Sequence, residues 1–231
     1  TSGSTGTTKL VFRDEASLLA EGRRYMDGLG MSAEDIVLLP LPISHAFAFG
    51  VALSALLAKA ELLLVRPTAL GEIEERLRKQ ATMAFLSPTL ARLLASRRSG
   101  CSGAHINTGA LKFAMVGAGA VDEYTEAKFQ EVFGMGLARN YGSTELGAVF
   151  AGLPPLPPLC IGSTLPGVEF RIETDGNGET GALWVRSSAG EWVATGDFAH
   201  EAEGRVTVLG RQSASIRRGD RWISPLEIET A

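Results

Sequence analysis

Hydrophobic and polar positions follow two patterns along the first half of the chain. Short segments at 36–39, 61–65, 82–86 and 113–116 are apolar at every position except Glu61 and Thr82, and longer amphipathic segments separate them. A continuous apolar run of this length is typical of a strand that is buried on both faces of a parallel sheet. Strands that alternate with helices predict βαβ units. We therefore expect an α/β fold, with a mostly parallel sheet and helices on both faces.

The predicted helices have recognisable ends. The first is expected over 15–26, with Asp14 as its N-cap and a glycine-containing turn at 27–30 after it. Ser87 and Pro88 begin another helix that runs to about residue 98, because proline is tolerated in the first helical turn. The remaining expected elements in this part are helices at 51–59 and 71–80 and a short strand at 10–12.

The pattern changes after about residue 150. A proline-rich stretch at 153–159 predicts a rigid loop. Residues 168–172 and 182–186 read as strands, with a glycine-rich turn at 175–178 between them, which predicts antiparallel pairing. A last strand is expected at 204–211. The expected regions are an α/β part at 1–150, a small antiparallel β subdomain at 151–210 and a final segment at 211–231.

Composition narrows the class of protein. The chain has 231 residues, 45% hydrophobic and 21% charged, which is typical of a soluble globular protein. A net charge of −4 and scattered basic residues do not indicate a nucleic-acid partner. No apolar run reaches the roughly 18 residues of a membrane span, and no signal peptide is recognised. Cys101 and Cys160 lie far apart, which favours thiols in a reducing, cytoplasmic compartment.

The first nine residues, Thr1–Lys9, hold two glycines, six hydroxyl residues and one lysine. Glycines allow close approach to a ligand, and successive backbone N–H groups form a concave site for anions. This chemistry suits a polyphosphate, although the spacing differs from the Walker loop. A flexible linker is an equal alternative for this stretch alone. Because the chain opens inside this loop and without methionine, we expect a fragment or a processed chain.

Further candidate residues follow the predicted strands. His45 comes after the strand at 36–39, two glycines come after the strand at 113–116, and Tyr141 follows the run through Leu137. Ligands bind at the carboxyl ends of parallel strands, so these positions are expected to share one edge of the sheet. A structural histidine and an ordinary strand-to-helix turn are the alternative interpretations of the first two.

Several segments together resemble the adenylate-forming superfamily of acyl- and aryl-CoA synthetases, peptide-synthetase adenylation domains and luciferases. Residues 1–9 are similar to its phosphate loop, T-S-G-[ST]-[ST]-G-x-P-K. Residues 140–145, N-Y-G-S-T-E, match its [NY]-Y-G-x-T-E without a gap, and residues 192–197 match W-x-x-T-G-D. Residues 216–229 resemble I-x-x-G-G-x-x-I-x-P-x-E-[IVL]-E. The resemblance extends over essentially the whole chain, which corresponds to the middle of the family's enzyme.

The resemblance implies ATP-dependent activation of a small carboxylic acid to an acyl-adenylate, followed by transfer to the thiol of coenzyme A or of carrier-protein phosphopantetheine. It implies Mg²⁺ as a cofactor and an acyl carrier protein as one candidate partner. The residues that it assigns to the phosphates are Thr1, Ser2, Gly3, Ser4, Thr5, Gly6 and Lys9. Those that it assigns to the rest of the nucleotide are Gly117, Ala118, Gly119, Ala120, Asn140, Tyr141, Gly142, Ser143, Thr144, Asp197 and Arg211.

Individual roles follow from the same resemblance. Tyr141 stacks on adenine, Thr144 contacts the α-phosphate, Glu145 binds Mg²⁺, and Asp197 accepts hydrogen bonds from the ribose. Arg211 reaches the ribose and phosphate. The predicted catalytic residues are Lys9, His45, Thr144 and Glu145. The acyl group is expected beside His45, Ala118 and Gly147, with Phe47 and Phe49 as either pocket wall or core.

The chain departs from the family pattern at five positions. Thr8 and Val121 replace prolines, Ala182 replaces a glutamate, Ser213 replaces an aspartate or lysine, and Asp220 replaces a glycine. No residue matches the lysine of the family's small C-terminal domain, which the resemblance places after the hinge at 211–231. A nucleotide-binding module without turnover is therefore the alternative function. A peptide-docking scaffold, based on the proline-rich loop, is a third and weaker one.

Overall fold

The structure is a computed structural model that describes residues 10–97, 108–174, 179–187, 190–218, 221–223 and 225. The helices are α1 (Glu15–Leu29), α2 (Ala46–Ala58), α3 (Leu70–Lys79), α4 (Pro88–Ser96) and α5 (Glu123–Phe133), with a 3-10 helix at Gln212–Ala214. The strands are β1 (Ile36–Leu39), β2 (Glu61–Leu64), β3 (Met83–Leu86), β4 (Phe113–Val116), β5 (Leu137–Ser143), β6 (Gly147–Gly152), β7 (Cys160–Thr164), β8 (Val168–Glu173), β9 (Thr180–Ser187), β10 (Val193–Ala202), β11 (Arg205–Arg211), β12 (Ile216–Arg218) and β13 (Arg221–Ile223).

Local sequence sets the helix ends. The Asp14 carboxylate accepts the backbone N–H of Ser17 at 2.8 Å and caps α1, as expected from the sequence. The Ser87 hydroxyl caps α4 in the same way, and Pro88 occupies its first turn. Such caps satisfy backbone donors that have no partner inside the helix. Gly30 ends α1 in the left-handed conformation (φ 62°), which glycine adopts without a steric penalty.

Eleven strands form one sheet in the order β2-β1-β3-β4-β5-β6-β7-β11-β10-β9-β8. The pairs from β2 to β5 are parallel, and every pair from β5 onward is antiparallel. This confirms the predicted α/β fold, with parallel strands followed by antiparallel ones. The two parts meet at β5, which pairs in parallel with β4 and antiparallel with β6. The expected division of the chain at residues 150 and 210 stays a prediction.

Each central parallel strand buries both of its faces. Val37 and Leu39 of β1 pack in one core, and Leu38 between them packs in another on the opposite side of the sheet. Because side chains alternate across a strand, the continuous apolar runs serve both cores. Helices α1 and α2 cover the first face, and α3, α4 and α5 cover the second. Buried side chains of these helices are Tyr25, Phe47, Val51, Ile73, Leu77, Leu90, Leu94 and Phe129.

Three local predictions were wrong in detail. Residues 10–12 form no strand, and Leu10 and Phe12 are both exposed, so no apolar face is available to hold a strand there. Helix α1 continues past residue 26 to Leu29 because its stop is Gly30. Helix α2 begins at Ala46, five residues earlier than expected, so Phe47 and Phe49 belong to its first turns.

Helix α5 and strands β6, β7 and β10 were not predicted from the sequence. The turn expected at 175–178 lies outside the described residues, as do most residues after 218. Within the described part of the chain, no helix is long and apolar enough to cross a membrane.

Candidate functional site

A cleft of about 1160 Å³ opens at the carboxyl ends of the parallel strands, between them and strands β10 and β11. This is the edge of the sheet where the sequence places its candidate residues. The predicted site residues that line the cleft are His45, Ala118, Gly119, Ala120, Asn140, Tyr141, Gly142, Ser143, Thr144, Gly147, Asp197 and Arg211. Residues that are up to 166 positions apart in the sequence (45 to 211) are therefore brought to one cavity.

Some predicted residues lie elsewhere. Glu145 is exposed and lines a neighbouring depression with Phe12, Arg13, Asp14 and Ser17. Gly117 does not line the cleft but lies beneath it. The loop at Thr1–Lys9 falls outside the described residues, so the structure says nothing of its phosphate contacts.

Asp197 is a buried acidic residue of the cleft, with only 5% of its surface exposed. Its Oδ2 accepts the hydroxyl of Tyr141, and its Oδ1 lies 3.1 Å from Nε of Arg211. Its backbone N–H donates to the hydroxyl of Thr195 at 3.1 Å. Burial raises the pKa of the Asp197 carboxyl, although the hydrogen bond from Tyr141 and the charge of Arg211 oppose this rise. The result is a carboxylate held in one orientation, with both oxygens at the cleft.

Tyr141 lies on β5, and its ring packs edge-on against Phe150 of β6, with ring centroids 5.9 Å apart. Burial raises the pKa of the Tyr141 phenol, and the neighbouring charge of Asp197 raises it further. The phenol is therefore a neutral donor at physiological pH. Its bond to Asp197 fixes the ring at the wall of the cleft, where a flat ligand can stack on it.

The turn after β4 carries the two glycines singled out in the sequence. A Cβ at Gly117 would lie 2.8 Å from the Phe47 ring and 3.0 Å from Nδ2 of Asn140, so only glycine fits there. Ala118 adopts the left-handed conformation with φ 64°, which is uncommon for a residue with a side chain. This backbone turns sharply, and residues 118–120 face the cleft.

Thr144 and Glu145 lie in the tight turn that joins β5 to β6. The Ser143 hydroxyl accepts the backbone N–H of Leu146 at 3.2 Å, which closes this turn. Residues 144–146 form a turn, and no helix begins there. A Cβ at Gly142 would lie 2.2 Å from the carbonyl oxygen of Gly147, so the two strands approach closely where the turn begins.

His45 occupies the N-cap position of α2, but its side chain makes no capping hydrogen bond. It is exposed at the mouth of the cleft, beside Ile43 and Phe49, which are 53% and 42% exposed. The mouth is thus apolar with one titratable group. Both phenylalanines line the cleft, but Phe47 is buried in the core as well, whereas Phe49 is exposed.

Four residues near the cleft were missed in the sequence, and all belong to α1 or directly precede it. Tyr25 is fully buried and donates its hydroxyl to Oδ1 of Asn140 at 2.6 Å. Glu21 and Arg24 are also buried, and Arg13 pairs with Glu21. The signal was available, because Glu21 lies three positions after Leu18 and four before Tyr25, on the buried face of the helix.

No group of three or more His, Cys, Asp or Glu side chains that could hold a metal ion occurs among the described residues. Among the described residues, the depression that holds the exposed Glu145 contains one other carboxylate, that of Asp14. Glu145 therefore belongs to no group of three such ligands among these residues. Such a residue can supply one ligand to a cation whose other ligands come from water or substrate oxygens.

Comparison with known proteins places these features in a family. A family model described as "AMP-binding enzyme" matches residues 1–196. The chain is 28% identical to the 3-methylmercaptopropionyl-CoA ligase of Ruegeria pomeroyi, over 99% of the chain and 49% of that protein. It is also 28% identical to the 2-succinylbenzoate–CoA ligase of Escherichia coli, over 99% of the chain and 50% of that protein.

Among solved structures, ATP-bound MatB from Rhodopseudomonas palustris superposes with a TM-score of 0.87 at 22% identity, over 99% of the chain and 50% of that protein. At this identity the likeness shows a shared fold. The chain spans about half the length of the curated relatives that it matches.

Proposed function

The chain belongs to the family of AMP-binding enzymes, and from this membership we propose that it takes part in the ATP-dependent activation of a carboxylic acid. In the proposed reaction the acid's carboxylate attacks the α-phosphorus of ATP. A bond from carboxylate oxygen to phosphorus forms, and the bond to pyrophosphate breaks. The thiolate of coenzyme A or of phosphopantetheine then attacks the acyl carbon, and AMP leaves with the bonding electron pair.

The observation that carries this proposal is the group formed by Tyr141, Asp197 and Arg211 beside the turn at 117–120. A flat aromatic wall, a buried carboxylate and a guanidinium meet at one side of the cleft. In the proposed complex, adenine lies between the turn and the Tyr141 ring, and the ribose hydroxyls donate to Asp197. An ionised carboxylate offers about four lone-pair sites, so Asp197 can keep Arg211 while it accepts the ribose.

The phosphates are proposed to extend toward the turn that carries Thr144 and Glu145. The Thr144 hydroxyl lines the cleft and can donate to an α-phosphate oxygen. Glu145 would hold Mg²⁺, which, when bound, neutralises charge on the phosphate oxygens. An exposed carboxylate suits Mg²⁺, which keeps several waters and binds through one or two carboxylates plus phosphates. The roles of Lys9 and of residues 1–6 at the β- and γ-phosphates stay predictions.

The acid is proposed to enter at the apolar mouth beside His45, Ile43 and Phe49. Positioning and charge neutralisation supply most of the catalysis in such transfers, because the protein has little covalent work to do. CoA ligases among the relatives support coenzyme A as the acceptor, and an acyl carrier protein is the other candidate. A cytoplasmic location is part of the same proposal.

The test is pyrophosphate release by the intact protein with ATP, Mg²⁺ and a panel of aliphatic and aromatic acids. Hydroxylamine trapping of the activated acyl group gives a second readout. We expect release that depends on one class of acid and that is abolished by Asp197→Ala. Binding of ATP without any acid-dependent release would instead support the nucleotide-binding module without turnover.

A further inference from the structure

Glu21 is a carboxylate in an unusual place. It lies on α1 and is only 2% exposed, yet it borders the cleft. Its Oε1 accepts the backbone N–H of Ala148 at 3.0 Å, and its Oε2 lies 2.5 Å from Nη1 of Arg13. A buried carboxylate remains ionised only when its charge is paired and its oxygens are hydrogen-bonded. Both conditions are met here, so the Glu21 side chain is held in one position.

Two glycines make room for this carboxylate. A Cβ at Gly50, inside α2, would lie 2.5 Å from Oε1 of Glu21. A Cβ at Gly147, the first residue of β6, would lie 2.3 Å from its Cδ. Glycine in the middle of a helix is destabilising relative to alanine. In α2 this unfavourable residue lies at the position that contacts Glu21. The resemblance assigned Gly147 to the border of the acyl group, whereas its missing side chain here accommodates Glu21.

Arg24 holds the same stretch of backbone from the same helix. Its Nη1 donates to the carbonyl oxygen of Ala148 at 2.9 Å and approaches that of Leu146 at 3.5 Å. Helix α1 therefore binds both the N–H and the C=O of Ala148. This residue lies three positions after Glu145, directly beyond the turn between β5 and β6.

Arg13 is anchored as firmly as the carboxylate that it pairs with. Its Nε donates to the Ser17 hydroxyl at 3.0 Å, and its Nη2 donates to the Ser17 carbonyl at 3.1 Å. All three groups of the guanidinium are thus engaged. In the sequence, Arg13 lies four residues after Lys9. The Arg13–Glu21 ion pair, with the bond from Ala148 to Glu21, therefore connects the segment before α1 to the start of β6.

We propose that Glu21 is a positioning residue, whose ion pair with Arg13 and hydrogen bond to Ala148 fix the turn that carries Thr144 and Glu145. The inference rests on the proposed function, because it assigns these two residues to the phosphates and Mg²⁺. Glu21 itself touches no reacting atom. Its loss should weaken the binding of the phosphate part of ATP and leave the adenine and ribose contacts intact, since Tyr141, Asp197 and Arg211 make no bond to it.

The experiment compares the affinities of the intact protein for MgATP and for adenosine by isothermal titration calorimetry. Glu21→Gln keeps an oxygen for Ala148 and loses the charge. We expect its MgATP Kd to rise about tenfold, as for one hydrogen bond to a charged group, with the adenosine Kd unchanged. Arg13→Gln should give the same shift from the other side of the pair, and Arg13→Lys should restore most of the MgATP affinity.

The matched control is Asp35→Asn, which removes a buried carboxylate that is paired with Lys112 at 2.6 Å, away from the cleft. It should change neither Kd. A purely structural role for Glu21 predicts that the binding of MgATP and of adenosine is weakened equally. That result overturns the inference, while the proposed function stands. If Glu21→Gln does not fold, the ratio of the MgATP Kd to the adenosine Kd is measured for Arg13→Gln instead, and the same outcomes apply. If the wild type binds MgATP no better than adenosine, the proposed function and the inference both fail.

Discussion

Substitution of Asp197 by asparagine separates nucleotide binding from stability. The amide has the shape of the carboxylate but no charge, so the packing around a side chain that is 5% exposed stays the same. The bond from Tyr141 can persist, because the amide keeps one acceptor oxygen. The ion pair with Arg211 at 3.1 Å and one of the two acceptors for a ribose are lost.

The expected loss of nucleotide affinity follows from the hydrogen bonds. A hydrogen bond to a charged group contributes about 1.5–3 kcal/mol. Two ribose hydroxyls that donate to a carboxylate would become one neutral bond and one unpaired donor. We expect a loss of about 3 kcal/mol, or on the order of a hundredfold in the Kd for ATP and for adenosine alike.

The stability of the same variant should move little, or rise. Burial raises the pKa of Asp197 in the folded state, against the hydrogen bond from Tyr141 and the charge of Arg211. An acid with a raised pKa favours the fold below its unfolded pKa, and this contribution is lost as the pH rises through the folded pKa. At pH 7 the wild type therefore bears the cost of a buried charge that asparagine avoids. The Arg211 pair offsets little, since the Arg211 side chain is 58% exposed and such pairs contribute below about 1 kcal/mol.

The assay is calorimetric titration with ATP and adenosine, together with thermal unfolding at pH 5 and pH 7. Asp35→Asn is the control, for which we expect the opposite change in stability. Bonds from Lys112, Thr82 and Ser32 outweigh the effect of burial and lower the pKa of Asp35, so its removal should destabilise the fold without changing nucleotide affinity. A Kd for Asp197→Asn within threefold of wild type would refute the ribose role. A fall in Tm beyond about 8 °C at pH 7, or more than about 2 kcal/mol, would refute the electrostatic reasoning.

Three further predictions test other parts of the site. Glu145→Ala should abolish Mg²⁺-dependent pyrophosphate release by the intact protein, and unchanged release would remove Glu145 from the metal site. Gly147→Ala should lower the free energy of unfolding by about 3 kcal/mol in chemical denaturation, because its φ is 69° and the new Cβ clashes with Glu21. The control Gly204→Ala has a similar φ of 74° but open space around the new Cβ, so it should cost only about 1 kcal/mol. Equal losses in the two variants would contradict the clash with Glu21. Tyr25→Phe should cost about 1 kcal/mol in the same assay, because the half-buried Asn140 oxygen loses its donor at 2.6 Å. A smaller change in an Asn140→Ala background would confirm the coupling.

Much of the α/β half could be predicted because its signals are local. A run such as Ile36–Leu39 has no polar position, and this alone implies burial on both faces of a sheet. The caps Asp14 and Ser87 satisfy donors within three residues of themselves, so their roles are visible in the sequence. The site motif around Tyr141 is likewise continuous, and its residues 140–144 reach the cleft together because one strand and one turn carry them.

The roles of single side chains were decided by contacts between distant segments. The spacing of Glu21 on α1 indicates a buried position, but its partner Ala148 is known only once β6 lies against α1. Gly147 was assigned to the acyl pocket until the structure showed Glu21 in the space beside it. The strand order after β5 could not be predicted from the sequence either, because strands are joined by backbone hydrogen bonds that are the same for every residue type. Sequence by itself therefore determined most strands and helices of the α/β half and where the candidate chemistry lies, but not α5, β6, β7 or β10. Only the tertiary structure decided that Tyr141, Asp197 and Arg211 bond to one another, because their meeting depends on the β7–β11 pairing.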